Sequence, residues 1–249
     1  MSKLSDKPIY SIVIPAYKEE AVIGSSLKTI SSFLDENSLK DLAEIILVIA
    51  ESNDATKEIA NELATKFRRF TIIEPGPKVG KGRDVKAGML ASQGKYIVFT
   101  DADLATPVYH IKDAFNHLEA GADVVIGKRN LKSIHTGYRS LLSRCSNLLT
   151  RSMVLPKIAD TQCGFKGFNR NAVNKIFPKC SISGWSFDIE VLVLARQNKL
   201  EIEELDINDW SDPKLNAGFV GENPLIAISH SLKELLIIKY RLLRKRYSN

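Results

Sequence analysis

The sequence predicts an α/β fold in which a mostly parallel sheet carries helices on both faces. Short runs rich in isoleucine and valine alternate with longer segments in which polar residues recur at helical spacing. The short runs are apolar almost throughout, which is typical of strands buried on both faces of a parallel sheet. With 249 residues, 44% of them hydrophobic, the chain is also large enough to bury a substantial core.

Five strands are predicted in the first half of the chain, and a helix follows each of the first four. The strands are residues 10–15, 44–50, 70–75, 95–100 and 122–127, and the helices are residues 19–36, 56–67, 82–93 and 108–120. Ligands of such sheets bind beyond the carboxyl ends of the strands. The residues that follow each strand are therefore the first candidates for chemistry.

The second half of the chain has a less regular pattern. We expect helices at 139–153 and 187–197, a short extended segment at 164–168, a strand-like segment at 201–210, and a C-terminal helix from about residue 223 to 246. The sequence contains no internal repeat and no Gly/Ser-rich linker. The expected organisation is a single domain over residues 1–222, followed by an amphipathic helix over residues 223–249.

Composition excludes several classes of protein. The balance of hydrophobic and charged residues rules out general disorder. No apolar run approaches the roughly 18 residues that would span a bilayer, and the polar residues 1–7 do not resemble the start of a signal peptide. Three cysteines without a CxxC pair argue against a disulfide framework and favour a reduced, cytoplasmic compartment.

The net charge of +6 is concentrated near the C terminus. Five basic residues lie between Lys239 and Arg246 without an acidic one, and the rest of the chain carries 30 basic against 29 acidic residues. The nearly neutral body argues against nucleic acid as a partner. An amphipathic helix with a basic end suits a membrane surface, although its leucines could instead pack on the domain core.

A pair of carboxylates follows the fourth predicted strand. Asp101 and Asp103 are two positions apart, so in extended chain both side chains point to the same side. Two hard oxygen donors at this edge suit Mg²⁺ or Mn²⁺, which completes its coordination with water and substrate phosphates. The alternative is that one of them only caps the helix that starts near Pro107.

The end of the first strand and a basic turn are further candidate sites. Tyr17 offers a ring for stacking and Glu19 offers acceptors, although acidic residues are also common in the first turn of a helix. The turn at residues 78–84 fails the P-loop pattern but opens a helix, which favours anions. Its basic side chains, Lys78, Lys81 and Arg83, either contact a diphosphate or are solvated.

Three later motifs make the pattern more specific. They are Gly127-Lys128-Arg129, the run DTQCGFK at residues 160–166 and the run GWSFDIE at residues 184–190. Together with the earlier candidates they resemble the family 2 glycosyltransferases of the GT-A fold, and most closely the dolichyl-phosphate β-glucosyltransferase branch of polyprenyl-phosphate glycosyltransferases. The resemblance extends from about residue 10 to residue 210. It implies an inverting transfer of a hexose, with glucose favoured, from a nucleoside-diphosphate sugar to a polyprenyl phosphate.

The resemblance also implies roles for individual residues. Residues 1–129 would bind the nucleotide sugar, with UDP-glucose as the leading expectation, and residues 130–222 would form the acceptor half. The implied nucleotide-sugar site comprises Pro15, Ala16, Tyr17, Glu19, Glu51, Lys81, Asp101, Ala102 and Asp103, and within it Asp101 and Asp103 would hold Mg²⁺ or Mn²⁺. The implied catalytic residues are Asp103, Arg129 and Asp188, while Gln162 and Trp185 would shape the sugar and acceptor site.

Two departures from the family pattern matter. The run D-D-G-S-x-D-x-T after the second strand reads I-A-E-S-N-D-A-T here, so Ile49 and Ala50 replace the acidic pair and Glu51 is displaced. The identity of the base is therefore the least determined part of the expected donor. Many relatives also carry transmembrane helices, for which this sequence has no candidate. We accordingly expect a peripheral enzyme at the inner face of the membrane, in contact with it through the C-terminal helix.

Two other functions stay open. A hydroxyl acceptor, such as a polysaccharide or glycolipid, would need a general base, and Asp188 is the candidate. A phosphate acceptor needs none, because its second pKa of about 6 leaves it largely dianionic at neutral pH. The remote alternative is a non-catalytic basic module that binds membranes or nucleic acid, but no nucleic-acid-binding signature supports it.

Overall fold

The computed structural model describes residues 7–129, 158–184, 186–211, 224–244 and 247. The strands are β1 (Tyr10–Ala16), β2 (Ala43–Ile49), β3 (Phe70–Ile73), β4 (Tyr96–Phe99), β5 (Val124–Arg129), β6 (Lys166–Asn169) and β7 (Ile202–Ile207). The helices are α1 (Ile23–Glu36), α2 (Thr56–Leu63), α3 (Lys81–Ala91), α4 (His110–Ala120), α5 (Arg170–Ile176), α6 (Phe187–Gln197) and α7 (Pro224–Leu243), with 3₁₀ turns at Ala64–Lys66 and Phe177–Lys179. The helix predicted at 139–153 lies outside the described residues, and the domain boundary at residue 222 stays a prediction.

The described strands form one sheet in the order β3-β2-β1-β4-β6-β5-β7. The pairs β1–β2, β1–β4, β2–β3 and β5–β7 are parallel. The predicted α/β class and mostly parallel sheet are therefore confirmed. Strand β6 runs antiparallel between β4 and β5, which the sequence did not indicate. A strand of four residues shows too little periodicity to reveal its direction.

One shifted helix start and one unpredicted helix have local causes. The first helix begins at Ile23 and not at residue 19, because Lys18 adopts a φ of 56° and the carbonyl of Glu19 accepts turn hydrogen bonds from the next residues. Helix α5 was not predicted. Its seven residues are too few for a clear helical period, and its start depends on the Asn169 side chain, which accepts a hydrogen bond from the Ala172 amide.

Helices cover both faces of the sheet. Side chains alternate along β1, so that Val13 joins one apolar cluster while Ile12 and Ile14 join the other. Helices α1 and α4 pack with the second cluster, and α3, α5 and α6 pack with the first. Because both faces of the sheet are buried, polar side chains are found mainly at the ends of the strands.

The described side chains of the C-terminal helix α7 divide into a buried and an exposed set. Leu235 and Ile238 are buried in the same cluster as α6. Four large side chains remain exposed at helical spacing, with exposed fractions of 42% for Leu232, 54% for Leu236, 48% for Tyr240 and 75% for Leu243. Among the described residues no helix has the length and apolar character needed to cross a bilayer.

Candidate functional site

The carboxyl edge of the sheet brings Lys81 and Asp101 into contact. Lys81 opens α3 and Asp101 follows β4, and the Lys81 ammonium forms an ion pair with Oδ1 of Asp101. Burial alone would lower the pKa of Lys81, but the carboxylates of Asp101, Asp188 and Asp103 outweigh it and raise that pKa. A permanently charged lysine therefore stands where a parallel sheet presents its ligands.

The loop that precedes β6 packs directly on Asp101. A Cβ atom on Gly164 would overlap the carboxylate of Asp101, so only glycine leaves room for this contact. The DTQCGFK motif thus reaches the same point as the Asp101–Asp103 motif, although more than 50 residues separate them in sequence. The two motifs form one site.

A buried ion pair lies behind this contact. The Lys166 ammonium donates hydrogen bonds to the Cys163 carbonyl at 2.6 Å and to the Asp188 carboxylate, and the Lys166 side chain is fully buried. Burial raises the pKa of Asp188, while the ammonium groups of Lys166 and Lys81 oppose that rise. Asp188 is therefore close to the Lys81–Asp101 pair, but its side chain is only 5% exposed.

Arg129, at the end of β5, forms a second ion pair. Its guanidinium donates to both carboxylate oxygens of Asp160, from Nε at 2.6 Å and from Nη2 at 3.0 Å. Burial alone would lower the pKa of Arg129, but Asp160 outweighs it and raises that pKa. The Trp210 ring covers the guanidinium at 5.3 Å from its centroid. These contacts join Arg129, at the end of β5, to Asp160 on the loop that leads to Gly164.

The ends of β1 and β2 are joined by hydrogen bonds to small polar residues. Asp54 accepts hydrogen bonds from the hydroxyls of Ser52 at 2.5 Å and Thr56 at 2.6 Å, and also from the amide of Glu20 at 3.2 Å. Burial would raise the pKa of Asp54, but these hydrogen bonds together lower it. The amide of Glu19 donates to Thr56 at 2.9 Å. The surviving S-x-D-x-T residues therefore hold the turn after β1 in place.

The residues that depart from the family pattern have clear structural roles. Ile49 and Ala50 are buried, and Ile49 belongs to an apolar cluster of the sheet. Glu51 is exposed and its backbone pairs with Pro77. The adjoining basic turn places the Lys78 ammonium 4.0 Å from the centre of the Tyr17 ring. Tyr17, Glu51 and Lys78 thus surround the end of β2 without an acidic pair on the strand itself.

The remaining predicted site residues lie in different surroundings. Pro15, Ala16 and Ala102 are buried and shape the backbone at the strand ends. Gln162 is half-buried, and its amide donates to Asp160 at 3.2 Å. Trp185 lies outside the described residues. Arg83, a suggested diphosphate contact, instead donates two hydrogen bonds to the carboxylate of the next residue, Asp84.

The donor chemistry of Asp101 and Asp103 fits a hard divalent ion. Mg²⁺ and Mn²⁺ commonly use one or two carboxylates and complete their coordination with water and phosphate oxygens. No third His, Cys, Asp or Glu joins these two in a cluster within the described part of the chain. A cleft of about 340 Å³ opens beside Asp103 and is also lined by Ser25, Thr29 and Tyr109. The cleft therefore borders Asp103 on the side of α1, while Asp101 does not line it.

Sequence comparison assigns the chain to a family. The model of "Glycosyl transferase family 2" matches residues 11–177. The chain belongs to this glycosyltransferase family. Dolichyl-phosphate beta-glucosyltransferases from Dictyostelium discoideum and Saccharomyces cerevisiae are each 32% identical to it, over 83% of this chain and 68% of the relative. The corresponding protein of Homo sapiens is 29% identical, over 81% of this chain and 67% of its own length.

Structure comparison supports the GT-A fold of this glycosyltransferase. The glucosyl-3-phosphoglycerate synthase of Mycobacterium tuberculosis in complex with UDP has a TM-score of 0.69, with 18% identity, and covers 93% of this chain and 79% of that one. The same synthase with Mn²⁺, UDP-glucose and phosphoglyceric acid has a TM-score of 0.68, covering 93% and 78%. The predicted family and fold are thus confirmed, and the roles of individual site residues stay predictions.

The sequence assigns no role to Lys166, the charged residue that pairs with Asp188. Lys166 is the last residue of the DTQCGFK motif. A signal was present for Lys166, because a lysine between Phe165 and Phe168 is out of place on an apolar strand. A buried lysine predicts a buried partner, but sequence alone does not identify Asp188 as that partner.

Proposed function

We propose that this glycosyltransferase transfers glucose from UDP-glucose to a polyprenyl phosphate such as dolichyl phosphate, with inversion at the anomeric carbon. The observation that carries the proposal is the 32% identity, over 83% of the chain, to proteins named dolichyl-phosphate beta-glucosyltransferase. The site geometry supports it, because cationic and anionic side chains meet at the edge where a nucleotide sugar would bind.

Lys81 is the proposed contact for the diphosphate. The bond between the sugar C1 and the diphosphate oxygen breaks in the reaction, and its electron pair leaves with UDP. A fixed ammonium group stabilises the negative charge that develops on this leaving group. A bound Mg²⁺ or Mn²⁺, held by Asp101 and Asp103, would supply further Lewis-acid stabilisation of the diphosphate.

The burial of Asp188 favours a phosphate acceptor over a hydroxyl. A general base must reach the proton that it removes, whereas the Asp188 carboxylate is 5% exposed and bound to Lys166. A dianionic phosphate needs no base, since its oxygen can form the new bond to C1 directly. We therefore propose that Asp188 acts through Lys166 as a positioning residue. We also propose that Arg129, at the end of β5, and Gln162, on the loop before β6, border the acceptor.

The base of the donor would bind between the ends of β1 and β2. Tyr17 offers a ring face beside Lys78, and Glu51 offers exposed carboxylate oxygens. A thermal-shift comparison of UDP, GDP, ADP and CDP, with and without Mn²⁺, would test this assignment. We expect the largest rise in melting temperature with UDP and Mn²⁺. A larger rise with another nucleotide would contradict uridine as the base.

The exposed side of α7 is the proposed contact with an anionic membrane surface. Leu232, Leu236, Tyr240 and Leu243 form an apolar row, and the neighbouring side chains of Lys233, Lys239 and Arg244 are also exposed. This combination suits the lipid interface, and each basic residue near anionic lipid contributes about 1 kcal/mol. We propose a peripheral location at the inner face of the membrane on this basis.

Vesicle sedimentation would test the membrane contact. We expect binding to vesicles that contain phosphatidylserine, weaker binding to neutral vesicles, and a clear loss for Leu236→Ser. Leu90→Ser is the matched control, because Leu90 is 46% exposed on α3 and lies outside the apolar row. Equal binding of both variants would contradict the proposed contact.

Product partition would test the acceptor. With labelled UDP-glucose, Mn²⁺ and a polyprenyl phosphate in detergent, we expect the label to enter the organic phase. Asp103→Asn should lower kcat about 100-fold or more, while Asp35→Asn, an exposed carboxylate on α1, should not. Label that stays in the aqueous phase with a polysaccharide acceptor would instead support the hydroxyl acceptor.

A further inference from the structure

Glu190 is a buried carboxylate that collects hydrogen bonds from three separate parts of the chain. It is fully buried on α6. Its oxygens accept from the amides of Ser181 at 2.8 Å and Ile182 at 2.7 Å, and from the Ser181 hydroxyl at 2.7 Å. The Tyr247 hydroxyl donates to it at 2.8 Å, and Arg241 of α7 lies at 3.3 Å. Glu190 thus joins the C-terminal region to residues 181 and 182.

Residues 181–184 pack on the first turn of α3, and we call them the 181–184 segment. The carbonyl of Ser183 accepts a hydrogen bond from the amide of Gly82 at 2.9 Å. A Cβ atom on Gly80 would overlap that carbonyl, and one on Gly82 would overlap Phe187 and the carbonyl of Ile182. Because no space is left between the 181–184 segment and the turn at Gly80–Gly82, the position of the segment fixes the position of the turn, which carries Lys81.

Helix α7 holds the same segment at a second point. The Glu234 carboxylate accepts a hydrogen bond from the amide of Ser186 at 3.0 Å, and it lies so close to Gly184 that a Cβ atom there would overlap it. Contacts from α7 and Tyr247 therefore reach the turn at Lys81 through a continuous set of packed groups.

We propose that Glu190 is a positioning residue for donor binding: it holds the 181–184 segment against α3, and so keeps Lys81 where the diphosphate binds. The proposal rests on the proposed function, in which Lys81 contacts that diphosphate. Glu190 itself does not touch the donor. Its loss should therefore weaken nucleotide binding and raise the KM for the donor, with a smaller effect on kcat.

The test compares Glu190→Gln with Glu44→Gln. Glu44 is a matched control, because it is also a buried glutamate that accepts two amide hydrogen bonds, from Gln93 at 2.6 Å and Gly94 at 3.2 Å, and a hydroxyl hydrogen bond from Ser11 at 2.6 Å. It lies near the amino end of β2, on the opposite edge of the sheet. Both variants should lower the melting temperature of the protein. Only Glu190→Gln should weaken binding of the donor.

Binding of UDP in the presence of Mn²⁺, measured by calorimetry, is the first readout. We expect Glu190→Gln to weaken it roughly tenfold and Tyr247→Phe, which removes one hydrogen bond to Glu190, roughly threefold. Glu44→Gln should bind UDP like the wild type. If Glu190→Gln does not fold, Tyr247→Phe decides. Equal UDP affinity of the folded variants and the wild type would overturn the proposal.

Hydrogen exchange of the Gly82 amide in nucleotide-free protein is the second readout. We expect faster exchange in Glu190→Gln and Tyr247→Phe than in the wild type, and no change in Glu44→Gln. Unchanged exchange in the first two variants would also overturn the proposal. If the wild type bound no nucleoside diphosphate with any metal, the proposed function would fail, and the exchange at Gly82 would still report separately on the positioning of the turn.

Discussion

The two sides of the ligand-binding edge are held together by different kinds of contact. On the side of β1 and β2, Ser52 and Thr56 donate to Asp54 across two residues of sequence, at partly buried positions. On the side of β5 and β6, Lys166 pairs with Asp188 and Arg129 pairs with Asp160, across 22 and 31 residues, with both aspartates buried. We call the first side local, because its side-chain pairs are close in sequence, although the amides of Glu20 and Glu19 also reach Asp54 and Thr56 from 34 and 37 residues away. We call the second side long-range and dry, because its paired aspartates are buried.

This difference predicts a division of labour between the two sides. A single hydrogen bond contributes a net of about 0.5–1.5 kcal/mol, and somewhat more when one partner is charged, as Asp54 is, so the first side should tolerate the loss of one contact. Removing one partner of a buried ion pair costs about 3–5 kcal/mol, so the second side behaves as a fixed template. Substitutions should therefore affect folding most on the second side.

The largest effect is expected for Lys166→Met. The substitution leaves the Asp188 carboxylate buried without its ammonium partner, and we expect the free energy of unfolding to fall by about 3–5 kcal/mol in urea denaturation. The double variant Lys166→Met/Asp188→Leu should recover most of that loss, because it removes both charges. A loss below about 1 kcal/mol in the single variant would show that the pair is not a rigid part of the site.

A smaller effect is expected for Arg129→Lys. An ammonium group cannot donate to both oxygens of Asp160 as the guanidinium does. We expect a loss of about 1.5–3 kcal/mol in the free energy of unfolding. The control is Lys128→Arg at the neighbouring, more exposed pair with Asp206, where we expect less than about 1 kcal/mol. Equal losses of stability at the two positions would contradict the expected difference between a buried and an exposed ion pair.

The local side was also the one that the sequence predicted better. The strands, the helices after them and the positions of Lys81 and Asp101 at the carboxyl edge all follow from patterns within a few residues. The residues that surround Tyr17 and Asp54 are likewise close in sequence to a predicted strand end. Local periodicity was sufficient to place these residues at the strand ends.

The long-range side could be predicted only in part. The motifs DTQCGFK and GWSFDIE contain Lys166 and Asp188, but the pairing of these two residues depends on how β6 packs against α6. The direction of β6 and the existence of α5 were missed, since both elements are short. The role of Glu190 depends on Tyr247, which is 57 residues away in sequence. Such contacts are tertiary, and no local pattern encodes them.

On the local side, Asp54→Asn should change the dependence of stability on pH. Because hydrogen bonds lower the pKa of Asp54 below its ordinary 3.8, the ionised carboxylate stabilises the fold above that pH, and the contribution is lost as pH falls through the folded-state pKa. We expect the free energy of unfolding of the wild type to exceed that of Asp54→Asn by about 1 kcal/mol at neutral pH. The difference should narrow below about pH 4.

Urea denaturation at several pH values would measure this difference. Asp41→Asn is a suitable control, because Asp41 is exposed and its carboxylate pairs with an exposed arginine, Arg68. We expect nearly parallel curves for the control and the wild type. If the difference in free energy of unfolding between the wild type and Asp54→Asn increased as the pH fell, the stabilising role of the ionised Asp54 carboxylate would be contradicted.

The smallest effect is expected at Cys163, on the dry side. Its side chain is fully buried, and burial raises the pKa of its thiol to about 11 even though Arg129 and Lys166 oppose the rise. Because the thiolate is the reactive form, iodoacetamide at neutral pH should leave Cys163 almost unmodified in the folded protein. Peptide mapping by mass spectrometry would separate it from the other two cysteines, and urea-unfolded protein is the control for accessibility. Rapid modification of Cys163 in the native state would show that the loop over Asp101 opens, and that this side of the site is less rigid than its ion pairs indicate.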